Sequence, residues 1–434
     1  MHKYKAYNLL NFKKIPQINN YLTPEQIHDI EIVGHVLPFK VNNYVVDQLI
    51  NWENIPNDPI FQLTFPQKGM LTPEHYAEIE RTLNNKHSKE EINFVTNKIR
   101  FELNPHPAGQ FQHNVPRMEG FKLKGIQHKY RETVLFFPAH SQTCHAYCTF
   151  CFRWPQFVGI EDLKFSMKEV DLLVKYLNSR PEVTDLLFTG GDPMVMNASR
   201  WETYLQPFLN KAVPHLKNIR IGTKSLTYWP YRYLSDKDSD EILRLFEKIV
   251  KTGYHLTIMA HFNHPNELKT EVVRKAVQRI LNTGAKIRTQ APVMNHINAN
   301  SEVWSEMWKE QVKLGMIPYY MFIARDTGAQ DYFAVTLNDA WQIFRNAYQK
   351  VSGIVRTVRG PIMSANPGKI QILGVNELFG QEVFVLRFIQ GRNPEWVGKP
   401  FFAQFDPSAI WLNDLMPASG RDEFFFEEEL QEVA

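Results

Sequence analysis

Cysteine is almost missing from this chain: there are three in 434 residues, all between positions 144 and 151. So few thiols, so closely set, exclude a disulfide framework and point to a reducing compartment, with the cytoplasm as the expected location. An excess of one charge is lacking too. The 49 basic and 46 acidic residues leave a net +3, far from the field that nucleic-acid binding uses, so a small-molecule substrate is expected and no nucleic acid. No apolar run reaches membrane-spanning length, so no membrane is expected. The basic stretch Met1–Gln17 lacks both the apolar centre of a signal peptide and the Arg and Ser of a transit peptide, and reads as the start of the fold. What is present is 44% apolar content, ample for one large domain with extensions.

Residues 1–125 read as a mainly helical extension, with Pro-rich punctuation between helical patterns at Pro73–Asn85 and Ser88–Asn104. Asn104–Gly109, with two prolines and a glycine, reads as an ordered loop carrying a packed His106. From about residue 126 to 350 short apolar runs alternate with amphipathic helices. The runs are Thr133–Phe137, Thr184–Phe188, Ile219–Gly222, His255–Ala260, Lys286–Gln290 and Tyr319–Ile323. Ser166-Met167-Lys168-Glu169 reads as a capping box opening one helix, and Gly253 and Gly284 end two others. Six strands each trailed by a helix imply a parallel α/β sheet, a partial (β/α)6 barrel whose site lies at the C-terminal strand ends. Residues 351–434 form a C-terminal α+β segment, and the acidic Glu427-Glu428-Glu429 reads as a solvated end.

The cysteines lie on the loop after the first strand. Cys144, Cys148 and Cys151 are soft thiolate donors suited to zinc, copper(I) or an iron–sulfur cluster. A closed zinc site needs a fourth ligand, for which His140 and His145 are at hand; a four-iron cluster on three cysteines leaves one iron open. Other strand ends are polar as well. Thr189-Gly190-Gly191-Asp192-Pro193 follows the second strand, and its paired glycines permit close backbone approach while Asp192 can accept from an ammonium. His261-Phe262-Asn263-His264-Pro265-Asn266-Glu267 follows the fourth, and Gln290 the fifth. Arg153 puts a guanidinium beside the cysteine loop, able to hold a carboxylate bidentately.

Together Cys144–Arg153, Thr189–Pro193, His261–Glu267, Gln290 and Pro367–Lys369 resemble the lysine 2,3-aminomutase family of radical S-adenosylmethionine (radical SAM) enzymes, from about Tyr130 to about Arg387. The resemblance implies a 4Fe-4S cluster on the three cysteines, with S-adenosylmethionine chelating the fourth iron. It places Gly190, Gly191 and Asp192 at the methionyl ammonium, Phe150, His261 and Gln290 among the cofactor-binding residues, and Arg153 at the substrate carboxylate. It also implies pyridoxal 5'-phosphate (PLP) on Lys369, and Tyr130 against its ring. The activity implied is an isomerase that moves an amino group between C2 and C3 of an α-amino acid. A reduced electron donor of flavodoxin or ferredoxin type is the implied protein partner, and a homo-oligomer is compatible.

Three departures bear on that picture. The family's glycine run before the lysine shrinks to Pro367-Gly368. Where it has an arginine for the PLP phosphate this chain has Thr133, which brings no charge and leaves Arg131 as the candidate. Where lysine-specific members carry two aspartates for the distal ammonium, this chain has Arg325, or Asp326 one position on, and a residue near Ile362. Arg325 would repel an ammonium, so a lysine substrate is not expected. A PLP-free radical SAM enzyme on this scaffold and a zinc-binding protein without catalysis remain the alternatives.

Overall fold

The computed structural model describes residues 2–85, 88–104, 114–160, 165–378, 380–418 and 420–433. The loop expected at 104–109, with His106, falls outside them beyond Asn104. Two short strands, β1 (Ala6–Asn8) and β2 (Lys40–Asn42), pair antiparallel in the N-terminal part. Helices α1 (Pro24–Val36), α2 (Pro73–Asn84) and α3 (Lys89–Glu102) surround them. Each begins as its sequence dictates. Thr23, Thr72 and Ser88 accept from the third backbone N–H of their helices, and proline opens the first two, where its missing N–H costs nothing.

One eleven-stranded sheet forms the body. Its edge strand β3 (Ile126–Tyr130) pairs antiparallel with β4 (Thr133–Phe136). From β4 the sheet runs parallel through β5 (Asp185–Phe188), β6 (Asn218–Thr223), β7 (His255–His261), β8 (Lys286–Val293) and β9 (Ile317–Ile323). These are the six expected strands, in sequence order. The crossovers carry α4 (Val170–Asn178), α5 (Ala198–Leu209), α6 (Ser239–Lys251), α7 (Glu271–Asn282) and α8 (Ser301–Lys313). The strand order is linear and the two edge strands are not hydrogen-bonded to each other, which leaves the barrel open. Trp201 of α5 and Trp304 of α8 are fully buried, and truncating either to Ala would cost about 3–5 kcal/mol.

Three sequence expectations change. The sheet does not stop near residue 350: helix α9 (Leu337–Gln349) leads to a seventh parallel strand, β10 (Arg359–Ser364), and then to antiparallel β11 (Gly368–Leu378), β12 (Gln381–Gly391) and β13 (Pro400–Gln404). Ser166 opens no helix. The Met167 backbone is committed to the sheet margin, donating to Phe137 O and accepting from Ala139 N, so α4 begins only at Val170. The acidic tail is not simply solvated, because Glu429 accepts from Trp396 Nε1 at 2.6 Å and Asn393 Nδ2 at 2.9 Å. No described helix is long and apolar enough to cross a membrane.

Candidate active site

The C-terminal strand ends open into a cavity of about 1020 Å³. Its walls hold all three cysteines at one end and Lys369 at the other. A second depression of about 650 Å³, near Asn295 and Asp339, is lined by no cysteine, lysine or arginine.

The cysteine loop has little regular structure and is held by its neighbours. Tyr147 N donates to Lys40 O at 2.8 Å, and Thr149 bonds Leu63 O through its N–H and Gln62 O through its hydroxyl. Tyr4 and Asn42 both donate to His145 O. The N-terminal extension, in which the sequence showed nothing catalytic, is therefore the clasp of this loop. Burial first, and then the neighbouring carboxylate of Asp192 and the other two thiols, pushes the Cys144 thiol far up. Burial likewise raises Cys148, and takes Cys151 to about 12. Such thiols ionise only against a strong positive centre, which a metal supplies. Among the described residues no three His, Cys, Asp or Glu side chains are grouped to hold one metal ion. Three thiols on one loop are a donor set that can give one thiolate to each of three irons. His140 Nδ1 is bonded to Tyr204 Oη, and His145 gives its carbonyl to the clasp while its buried Nδ1 has no hydrogen-bond partner.

The Gly190-Gly191-Asp192 turn lies directly against that loop. Gly191 N donates to Ser141 O and Asp192 N to Thr143 O. A Cβ on Gly191 would stand 2.4 Å from Thr143 O, and Gly190 has φ +143, so both positions require glycine. Asp192 lines the cavity with both glycines. Its carboxylate also accepts from Thr223 Oγ1, Met194 N and Lys224 N and is 3% exposed. It braces β5 to β6.

The HFNHPNE string is also divided. His261 lines the cavity, its ring 5.5 Å from that of Phe150, and burial keeps it neutral. Asn263 and Glu267 are fully buried beneath it and hold the Lys224 ammonium at 2.8 and 2.7 Å. Removing Glu267 would strand that cation, a loss of about 3–5 kcal/mol. Gln290 lines the cavity from within β8, not after it, where the pairing to β9 shifts register.

At the opposite end Lys369 opens β11. Its Nζ donates to Gln390 Oε1 at 2.5 Å and lies 5.0 and 5.1 Å from the ring centres of Tyr130 and Tyr320. Burial, then the Arg220 and Arg359 guanidinia, lower its pKa to about 7. The short Pro367-Gly368 lead suffices because Gly368 faces Gln390 O, where a Cβ would come within 2.2 Å. Thr133 lines the cavity, but its hydroxyl donates to Asp185, itself paired with Arg220. Arg131 is a correction: it sits exposed on the β3–β4 turn and outside the cavity wall. The pairing of β3 with β4 shifts between His128 and Tyr130, and the lysine that lines the cavity is Lys129, which the sequence did not single out. Lys129 donates to Ala365 O, and burial followed by Arg392, Arg325 and Lys369 drives its pKa far down. Its proximity to Tyr130, whose ring centre is 5.5 Å away, was the available sequence signal.

Two further guanidinia face the cavity, and Phe152 links them: Arg153 and Arg325 lie 5.2 and 5.3 Å from its ring centre. Buried Nη1 of Arg153 has no hydrogen-bond partner, the state expected of a group awaiting an anion. Arg325 bonds Asp326 at 3.4 Å and lies 5.9 Å from the Trp411 ring, and all three line the cavity. Ile362, by contrast, is fully buried in the core and offers the cavity no group.

No family model matches the chain. A protein of Aquifex aeolicus (strain VF5) named "Putative L-lysine 2,3-aminomutase" is 30% identical over 391 residues, covering 90% of this chain and 91% of its own. The L-lysine 2,3-aminomutase of Bacillus subtilis (strain 168) is 25% identical over 304 residues, 62% of this chain and 60% of its own. The glutamate 2,3-aminomutase of Clostridioides difficile (strain 630) is 28% identical over 214 residues, 49% and 47%. Among solved structures, native anSMEcpe with bound AdoMet superposes with TM-score 0.37 at 13% identity, over 50% of this chain and 59% of that one. A radical SAM methyltransferase from Sphaerobacter thermophilus gives 0.36 at 11%, over 54% and 68%. Likenesses that remote bear on neither ligand nor reaction.

Proposed function

This chain belongs to the lysine 2,3-aminomutase family of radical SAM enzymes, and from that premise we propose that it is a PLP-dependent amino acid 2,3-aminomutase whose substrate does not end in a cation. The observation that carries the reading is one cavity lined by three half-buried cysteines, a lysine whose pKa is lowered to about 7, and a guanidinium with a buried, unbonded Nη1. When bound, the cluster with S-adenosylmethionine would supply a radical that takes hydrogen from C3, and PLP would carry the migrating nitrogen.

The chain's own part is positioning and exclusion of water. Arg153 would hold the α-carboxylate through the Nη1 that lacks a partner. Phe150, His261 and Gln290 would wall the adenosine part, the neutral imidazole adding no charge beside the sulfonium. Lys369 would attach PLP as an uncharged amine. Lys129, whose amine faces the cavity beside Tyr130, would donate to the phosphate. Lys129→Met is expected to weaken PLP binding by about tenfold, since a hydrogen bond to a charged acceptor is lost. Fluorescence titration of the apoenzyme checks this, and unchanged affinity would remove Lys129 from the role.

The distal end of the substrate would lie towards Arg325. An ammonium placed there, beside a guanidinium in a water-excluded site, costs several kcal/mol, whereas a carboxylate or a neutral group does not. An anaerobic screen of amino acids for deuterium exchange into 5'-deoxyadenosine should therefore favour acidic or neutral side chains over lysine. Arg325→Asp should raise the lysine signal relative to glutamate. If lysine is the best substrate of the unaltered protein by a wide margin, the charge argument fails while the aminomutase reading stands.

A further inference from the structure

Directly after β6, Ser225–Tyr228 form a single helical turn whose four residues are all buried. Tyr228 N donates to Lys224 O and Trp229 N to Ser225 O, which closes the turn. Asn42 ties it to the cysteine loop, its Nδ2 donating to Tyr228 O at 2.8 Å and to His145 O at 3.1 Å. Tyr228 is 1% exposed and lines the cavity together with Cys144 and Cys148. The Lys224 ammonium, itself paired with Glu267, stands 4.5 Å from its ring centre and holds the ring by a cation–π contact. Tyr228 Oη is buried and has no hydrogen-bond partner, a state that calls for an acceptor. Its polar neighbour is the Cys148 thiol. Burial raises that thiol, and Lys224 and then Tyr228 draw it back; burial, then Cys148, holds the phenol far above its usual range.

We propose that Tyr228 donates a hydrogen bond from Oη to the thiolate Sγ of Cys148 and thereby raises the reduction potential of the cluster that the three cysteines hold. The inference rests on the cluster assigned above. A neutral thiol is a weak acceptor, which leaves the phenol unbonded; a thiolate is a charged one, and a donor to it forms a charge-assisted bond. Hydrogen bonds to the sulfurs are among the terms that set the potential of an iron–sulfur cluster. Reduction adds one negative charge, so the bond strengthens and the reduced form gains more than the oxidised form. One electron enters the cluster from the reductant, no covalent bond breaks, and the phenol keeps its proton, because its surroundings oppose its ionisation. Tyr228 acts through Cys148 and is a positioning residue, with no contact to substrate required of it.

The test is an anaerobic potentiometric titration of the reconstituted holoenzyme without S-adenosylmethionine, using dithionite and redox mediators and following the cluster absorbance. Tyr228→Phe keeps the ring over Lys224 and removes only the hydroxyl. It should hold as much iron as the unaltered protein, while its midpoint potential falls by about 59 mV, a tenfold loss in the equilibrium constant for taking up one electron. Packing alone does not predict such a shift. Tyr254→Phe is the control: it removes a buried hydroxyl that donates to Phe208 O, away from the cavity wall, and should leave the potential unchanged. The proposal is overturned if the midpoint of Tyr228→Phe stays at that of the unaltered protein or rises, or if Tyr254→Phe lowers it equally. Loss of iron from Tyr228→Phe also overturns it, since the hydroxyl would then be a prop of the loop. Absence of iron–sulfur absorbance from the unaltered protein would instead remove the cluster assignment itself.

Discussion

Replacing any one of Cys144, Cys148 and Cys151 by Ala should remove most of the iron from anaerobically purified protein and abolish reductive cleavage of S-adenosylmethionine. The effect is all-or-none for a physical reason. Burial shifts each thiol upwards, and neighbouring thiols raise Cys144 and Cys151 further, so ionisation must be supported by the positive charge of the iron. A lost ligand leaves an iron one thiolate short, and the chain has no cysteine beyond these three to replace it. Iron analysis and the charge-transfer absorbance give the readout. Full iron occupancy in the triple Ala variant would sink the cluster assignment. A second variant guards against misfolding: Tyr4→Phe keeps the ring but loses the bond to His145 O, and should retain iron.

The second large effect concerns Lys369. Borohydride reduction of the PLP-loaded protein should fix the pyridoxyl group on this residue, and Lys369→Ala should lose the covalent label altogether. Three lysines face the cavity, and their surroundings separate them. Lys224 is held in place by Glu267 and Asn263. Lys129 is bonded to Ala365 O. Lys369 has only a neutral amide acceptor in Gln390 and two aromatic faces, and its pKa is lowered to about 7 by burial and by Arg220 and Arg359. The sign follows from that direction. Burial favours the uncharged amine, so the nucleophilic fraction rises as pH climbs through about 7, whereas a solvated lysine reaches the same fraction only near about 10.4. The pH dependence of labelling should therefore have its midpoint near 7 and move upwards in Gln390→Glu, where a carboxylate would stabilise the ammonium. A label on Lys129 would show that the C-terminal third has been assigned wrongly.

Much of the fold was written in local sequence. The six parallel strands follow from apolar runs of the right length, and Gly253 and Gly284, with φ +96 and +87, end their helices as expected. The thiols are brought to one loop by sequence alone, because C-x3-C-x2-C leaves the chain no room to scatter them. Arg153, two residues after Cys151, and Lys369, after Pro367-Gly368, were placed at the site by the resemblance of these motifs to the family, and both line the cavity. The strands and the thiol loop are consequences of period and proximity, which a linear chain records.

What only the tertiary structure decided depends on which distant backbone or charge meets each group. Asp192 also bonds Thr223 and Lys224, some thirty residues on. The sequence showed neither partner because hydrogen-bond saturation is not a local property. Lys129 rather than Arg131 reaches the cavity because the register of an edge pair shifts by a residue, and such a shift changes the face to which a side chain points. The role of residues 2–70 as a clasp, and of Trp411 as the far wall around Arg325, arises from contacts spanning 80 to 140 positions. Periodicity says that an element forms and which face is apolar. It does not say which polar atoms will be buried together, and the chemistry of this cavity is set by those pairings.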